Sequence, residues 1–441
     1  MQQTDTVGVQ DFLNIRRFSN FQKLVFALCF LTAFFDGMDT AAVGYIAPAL
    51  SNEWGVQKAA LAPVLSAALF GLAAGAAASG PLADKIGRRI VLTASVLLFA
   101  AFCAASALAE NLTQLAVLRF ITGLGLGAAM PNAVALLAEF CPERKRAFTV
   151  NTMYCGFPLG AAAGGFFASW LIPGYGWRML LFWCGLMPLA LGVFMMVLLP
   201  ESPAYLAAKG RPQAQIRKIL SRIDSAAATT AAVFTTEPPP TRAEAPTAAI
   251  LGAKLRAGTL LLWTSYFMGL IVFYSVINWM PTLFKETGLG AQAGAQIAGL
   301  FALGGLGAAA NGYLMDRFDG NRLIALMSLL TALSVASVGF ALKGGLWLLV
   351  GTVLFAGLAH NTAQASLPAL AAQFYPTACR TTGIAWMLGI GRMGAVAGTF
   401  LTGLLLVQNV ELSAVFAVLA VPSVVMAACL WLKYRLYRNQ A

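Results

Sequence analysis

Four ionisable side chains of this 441-residue chain stand in surroundings that ordinarily exclude them. Asp36 and Asp39 lie in Phe34-Phe35-Asp36-Gly37-Met38-Asp39-Thr40, Arg119 in Val117-Leu118-Arg119-Phe120-Ile121, and Arg392 in Gly389-Ile390-Gly391-Arg392-Met393-Gly394. A charge carried into hydrocarbon costs several kcal/mol, so such groups pair with one another or face a watery path and serve transport. The i, i+3 spacing of the two acids puts both carboxylates on one helix face. If one of them takes up and returns a proton, the pair supplies the chemistry of proton coupling. The alternative is that one acid caps a helix break at Gly37 or holds an arginine from another segment. A guanidinium presents a planar fork that grips a carboxylate through two bonds, which lysine cannot do. Arg392 is therefore the expected partner of a carboxylate substrate. Arg119 divides between substrate binding and pairing with an aspartate of the first segment, and a permanent ion pair is the alternative for both.

Polar and aromatic residues on other apolar segments extend this set. Asn132, Asn151, Tyr154, Tyr274, Asn278, Asn361 and Gln364 offer hydrogen bonds to hydroxyl or carboxyl groups, and Trp279 and Trp386 offer ring faces for stacking. Each aromatic has packing as its alternative. His360, the chain's single histidine, serves either as a proton relay or as a packed, hydrogen-bonded residue. Asp84, Arg88, Glu139, Arg146 and Arg380 fall near segment ends, which suits gate contacts, with solvated loop pairs as the plainer reading.

The elements that must position these groups follow from composition. The chain is 59% apolar and 10% charged, with mean hydropathy +0.76; soluble domains run nearer 45–50% apolar and about 25% charged. Its 29 Lys and Arg and 17 Asp and Glu cannot clothe a water-facing surface of this size, nor do they suit disorder. Apolar runs of about 20 residues, the length that crosses a 30 Å hydrocarbon core, fall near 23–48, 58–82, 90–109, 113–141, 147–172, 177–199, 257–283, 292–315, 322–342, 345–372, 382–407 and 411–433. Helices are required, because lipid offers no partner for a bare backbone amide. The net charge of +12 gathers in alternate loops (Arg16, Arg17 and Lys23; Lys85, Arg88 and Arg89; Arg144, Lys145 and Arg146; Arg317 and Arg322; Lys433, Arg435 and Arg438). That bias predicts a cytoplasmic location for both termini and for the stretch 200–256. No basic face with interleaved aromatics points to nucleic acid. The seven cysteines form no metal-ligand spacing or disulfide framework.

A repeat divides the chain. Shifted by 234 positions, Ala135-Leu136 meets Ala369-Leu370, Phe140 meets Phe374, Pro142 meets Pro376, and Arg146 meets Arg380. Gly160-Ala161 then meets Gly394-Ala395, and Phe166 meets Phe400. Six segments separate the copies, so the halves share one orientation, as in transporters built from parallel repeats. The expected division is a six-helix bundle over 1–199, a cytoplasmic loop over 200–256 with a short interfacial helix and a flexible Pro-rich middle, and a second bundle over 257–441. Arg392 meets Pro158 in the repeat, so its charge is an asymmetric addition.

Gly80-Pro81-Leu82-Ala83-Asp84-Lys85-Ile86-Gly87-Arg88-Arg89, weakly echoed at Gly312–Arg317, resembles the loop signature of the major facilitator superfamily. Arg119 with Gly123, Gly125 and Gly127 resembles a second signature, as does Pro200-Glu201-Ser202-Pro203. More narrowly, Asp36-Gly37-Met38-Asp39-Thr40, Gly127-Ala128-Ala129-Met130-Pro131-Asn132, Val276-Ile277-Asn278-Trp279-Met280-Pro281 and Arg380 through Gly394 resemble the aromatic acid:H+ symporter family. The resemblance implies an all-α membrane protein of twelve helices in two pseudo-symmetric bundles. It also implies proton-coupled uptake of benzoate-type acids across a bacterial inner membrane, with functional roles for Asp36, Asp39, Asp84, Arg119, Arg380 and Arg392. No cofactor or metal is expected, and a monomer is. The rival readings are an exporter on the same scaffold, a receptor, and a membrane-embedded enzyme; against the last, the sequence holds no activated nucleophile, metal set or cofactor loop.

Overall fold

The computed structural model describes residues 6–225, 233–236, 250–286, 288–307, 314–315, 317–375, 379–408 and 410–438. Among them, ten helical stretches are long and apolar enough to cross a bilayer. One, Glu143–Leu198, has 56 residues, about 84 Å of helix against a core of about 30 Å, so it is two crossings. The break lies at Gly176, whose φ of 80° no other residue type adopts readily, just past Pro173. The expected segments 147–172 and 177–199 meet at this point. The expected segment at 292–315 is described as a helix from Ala291 to Leu303 followed by a 3-10 turn over Gly304–Gly307; residues 308–313 lie outside the described residues.

In chain order the helices are α1 (Val9–Asn14), α2 (Asn20–Trp54), α3 (Ala62–Ile86), α4 (Arg88–Ser106), α5 (Leu112–Phe140), α6 (Glu143–Tyr154), α7 (Gly156–Leu198), α8 (Pro203–Ala208), α9 (Gln213–Leu220), α10 (Arg256–Glu286), α11 (Ala291–Leu303), α12 (Gly320–Ala341), α13 (Leu346–Phe374), α14 (Arg380–Val407) and α15 (Leu412–Tyr437). Local chemistry sets their ends. Ser19 and Gln22 form a reciprocal cap at the start of α2, which stops at Gly55 in the left-handed region. Asn111 and Asp319 cap α5 and α12 through the amides of Gln114 and Arg322.

Packing within the first half is close enough to need glycine. A Cβ on Gly71, Gly75, Gly123 or Gly127 would meet a backbone carbonyl oxygen of the facing helix at 2.0–2.1 Å, so α3 and α5 lie in backbone contact. Gly37 does the same for α2 against α7, where a Cβ would lie 1.9 Å from the Phe157 carbonyl oxygen. The helix runs unbroken through Gly37, so that glycine permits approach and is not a hinge needing a carboxylate cap.

The two sets of spans meet toward the end of the bundle opposite the termini. Gly44 faces the backbone of Ile277 and Asn278, Gly165 faces Ala295 and Gly299, and Gly403 faces Ala62. Lys285 reaches across to the Pro48 carbonyl at 3.2 Å and to Asn52.

At the end that carries the termini, residues 6–13 pack against the stretch after α7. Strand β1 (Thr6–Gly8) pairs in parallel with β2 (Val233–Thr235). Behind this ribbon, Val9, Phe12 and Leu13 bury against Tyr205, Leu206, Ile216, Leu220 and Phe234. Arg16 bonds Asp224 at 2.7 Å, and Gln213 brackets the Phe234 backbone with two bonds. The helix expected near Gln215–Arg222 is present as α9, but its apolar face covers protein. The correction has a physical reason: Phe12 and Leu13 give Ile216 and Leu220 an apolar partner nearer than lipid.

Candidate functional site

The two intramembrane acids have different neighbours although one turn of helix separates them. Arg119 Nη1 donates to Asp39 Oδ1 at 2.9 Å and Nη2 to Asp39 Oδ2 at 2.5 Å, a two-bond grip between side chains that are both fully buried. Nη2 also reaches the Asp39 carbonyl at 3.4 Å, and Nη1 lies 3.7 Å from the Cys103 sulfur. Of the two roles open to Arg119, this conformation displays the pairing with an aspartate of the first span.

Asp36 is buried and accepts a bond from the Thr40 hydroxyl at 3.3 Å. Its other electrostatic neighbours are Asp39 and Arg392. Arg392 is half-buried on α14 and forms no ion pair among the described residues. Its charge acts on Asp36 and on Tyr154, Tyr266 and Tyr274. The group is therefore built from both halves: Asp36 and Tyr154 from the first, Tyr266, Tyr274 and Arg392 from the second. Gly391, next to Arg392, lets α14 lie against the Tyr266 ring, which a Cβ at that position would strike at 2.1 Å. One carboxylate, one unpaired guanidinium and three phenols at a seam can bind an anion with hydroxyl substituents and move a proton beside it.

The remaining residues singled out from the sequence divide by environment. Tyr154 is 42% exposed where α6 ends. Asn278 donates to the Thr399 hydroxyl at 3.0 Å and Trp279 Nε1 to the Thr399 carbonyl at 3.0 Å, so both knit α10 to α14. Asn132 turns back on the Ala128 carbonyl at 2.8 Å, and Asn361 holds the Phe301 carbonyl at 2.8 Å. Trp386 is 47% exposed and stacks on Trp263 with centroids 5.9 Å apart. His360 is buried and stacked between Phe273 and Phe301, at 6.3 and 5.8 Å.

Two signatures and the end of α5, far apart in the chain, come together at the termini-bearing end. The turn between α3 and α4 is a single residue, Gly87, with φ of 105°. A Cβ there would lie 2.2 Å from the Glu201 carboxylate. Glu201 accepts from the amides of Arg89 and Ser202 at 3.1 and 3.0 Å, and Arg88 Nε lies 2.7 Å from Glu139 Oε1 at the end of α5. Tyr205 donates to the Lys85 carbonyl at 3.0 Å. Arg88 and Glu139 thus meet each other within one half. Arg146 is half-buried with no ion pair among the described residues. The side chains of Asp84, Asn151 and Arg380, and residue Asp316 of the echoed loop, lie outside the described residues.

The model of a family described as the Major Facilitator Superfamily matches residues 29–342 and 292–440. The chain belongs to the major facilitator superfamily. As a major facilitator it is a multi-pass membrane protein, and the likeness to the aromatic-acid branch of the superfamily holds across the chain. It is 46% identical to the 4-hydroxybenzoate transporter PcaK of Pseudomonas aeruginosa, over 97% of this chain and 96% of that one. It is 44% identical to the gallate transporter of Pseudomonas putida, over 95% of this chain and 93% of that one. Among solved structures, the inward open conformation of the xylose transporter XylE from E. coli superposes with a TM-score of 0.75 at 17% identity, covering 93% of this chain and 95% of that one. That likeness concerns the fold.

Sequence reasoning passed over Tyr266 in this major facilitator chain. The signal was available: 266, 270, 274 and 278 recur at four-residue steps, which is one helix face. Two of those positions, Tyr274 and Asn278, had drawn notice on polarity alone.

Proposed function

We propose that this chain imports an aromatic carboxylate together with a proton by alternating access. The observation that carries the reading is that Arg392 of the second half, which forms no ion pair among the described residues, acts by its charge on Asp36 of the first half and on Tyr154, Tyr266 and Tyr274. The relatives named as carriers of 4-hydroxybenzoate and gallate support the substrate class.

In this reading Arg392 takes the carboxylate through its fork, and the phenols receive ring hydroxyls. Asp36 carries the proton. A carboxylate clamped by two charge-assisted bonds keeps its charge, as Asp39 does with Arg119, whereas a carboxyl whose bonded partner is a hydroxyl is free to exchange. Loading both sites leaves no bare charge at the seam, and only then does closing a dry path around it become inexpensive. The moving bodies are the bundles over 1–199 and 257–441, joined by 200–256. Lys and Arg collect at the end bearing the termini, which supports a cytoplasmic location for that end at a bacterial inner membrane. The contacts at the opposite end then make this an inward-opening conformation.

Purified protein in liposomes tests the coupling. Asp36→Asn should abolish accumulation of labelled 4-hydroxybenzoate driven by a pH gradient while retaining exchange of labelled for unlabelled substrate. Gradient-driven accumulation at the parent rate overturns the assignment of the proton to Asp36.

A further inference from the structure

Beside the first span, at the end bearing the termini, a cleft of about 660 Å³ opens between the start of α2 and the start of α6. Four cations line it: Arg17 before α2, Lys23 in the first turn of α2, and Arg144 and Lys145 in the first turn of α6. Several neighbouring cations at this end are spoken for. Arg16 holds Asp224, Arg88 lies against Glu139, Arg89 donates to the Met196 carbonyl, and Arg222 covers the Phe21 ring. The four cleft cations form no ion pair among the described residues, and Lys23 Nζ bonds only the Asn20 side chain, at 3.2 Å. Like charges gathered around one hollow repel, and a bound anion relieves that repulsion.

The walls say which anion. Phe26 and Phe148 share the cleft with the cations, and Phe148 is 76% exposed. Below Lys23 on the same helix face, Ala27 and Leu31 are also exposed, one and two turns into the span. A charged rim thus passes into an apolar stripe running along the membrane-crossing direction. A small soluble anion has no use for that stripe. A phospholipid has, since its phosphate meets arginine and lysine at the interface while its chains lie along apolar helix surface. We infer that this cleft is a binding site for the headgroup of an anionic phospholipid, with an acyl chain lying over Ala27 and Leu31.

The test is thermal stabilisation of detergent-purified full-length protein by phosphatidylglycerol, with phosphatidylcholine and inorganic phosphate as parallel additions. Phosphatidylglycerol should stabilise the parent protein and phosphatidylcholine should not. Arg144→Gln with Lys145→Gln, and separately Arg17→Gln with Lys23→Gln, should each raise the phosphatidylglycerol concentration needed by about tenfold. Removing Arg435 and Arg438, exposed cations on the last helix, should leave it unchanged. All four cleft cations sit at exposed positions, so both variants should fold, and a single symmetric gel-filtration peak checks this. The inference is overturned if both cleft variants respond as the parent does, or if the Arg435 and Arg438 variant loses as much. It is equally overturned if inorganic phosphate stabilises as well as the lipid does.

Discussion

Two aspartate–arginine neighbourhoods lie within one turn of each other on the first span, and they differ in nearly every physical respect. Asp39 and Arg119 come from the same half, share two bonds at 2.5 and 2.9 Å and are both fully buried. Asp36 and Arg392 come from opposite halves, form no ion pair, and both act by their charge on Tyr154 and Tyr274. A sealed pair inside one rigid body has the same partners whatever the halves do, so it holds shape. A loose pair across a seam changes with each swing of the halves, so it is where a ligand or proton can be exchanged for a contact. Residue type alone does not separate the two; the body on which each partner rides does.

The largest effect that sharpens this contrast is on folding. Replacing Asp39 or Arg119 alone with Leu strands a buried charge and should remove on the order of 3–5 kcal/mol of stability, seen as a sharp fall in melting temperature in detergent. Replacing both together should recover most of it. A single variant that melts like the parent would break the comparison at its structural side.

Next comes Arg392→Ala, which should lower uptake of 4-hydroxybenzoate by about 10- to 100-fold, the scale of a bond to a charged group. Its melting temperature should stay near the parent's, because no partner is left stranded. Arg392→Lys should restore little of the uptake, since a point charge lacks the fork. Recovery to the parent rate with lysine would show that charge alone suffices at the seam. Tyr266→Phe should act more mildly, raising the half-saturating substrate concentration by about two- to tenfold for a hydroxylated acid and not for benzoate itself. Smallest is Arg88→Gln, whose pairing with Glu139 is partly solvated and should contribute at most about 1 kcal/mol, read as a small melting shift with transport rate as the more sensitive measure.

Much of this arrangement was legible before any coordinates. The hydrophobic ruler placed the spans because lipid permits little else, and intramembrane charge marked Asp36, Asp39, Arg119 and Arg392 because such charges are costly to keep. The i, i+3 spacing put both acids on one face, yet it could not assign them different partners, since that depends on α5 lying beside α2 and α14 lying across the seam. Asn278 and Trp279 were judged by polarity and ring area, and only packing reveals that both are tied to Thr399. Tyr266 was missed because one tyrosine among aromatic neighbours carries no signal until its helix face is counted out. The Pro-rich run 237–240 lies outside the described residues; the strand just before it, Val233–Thr235, was not legible because three residues have no periodicity to detect and the partner lies at the other end of the first half.

That short ribbon between Thr6–Gly8 and Val233–Thr235 has a consequence for how the molecule is made. Its second strand leaves the ribosome more than two hundred residues after the first, a delay on the order of tens of seconds at ordinary rates of synthesis. Throughout that interval six crossings are being laid into the bilayer while the leading segment, with Val9, Phe12 and Leu13 still uncovered, waits for its mate. The stitch therefore closes late, as a seal on a half that has already been threaded, and a bulky fusion placed ahead of Thr6 would be felt at this stage of assembly before it was felt in transport.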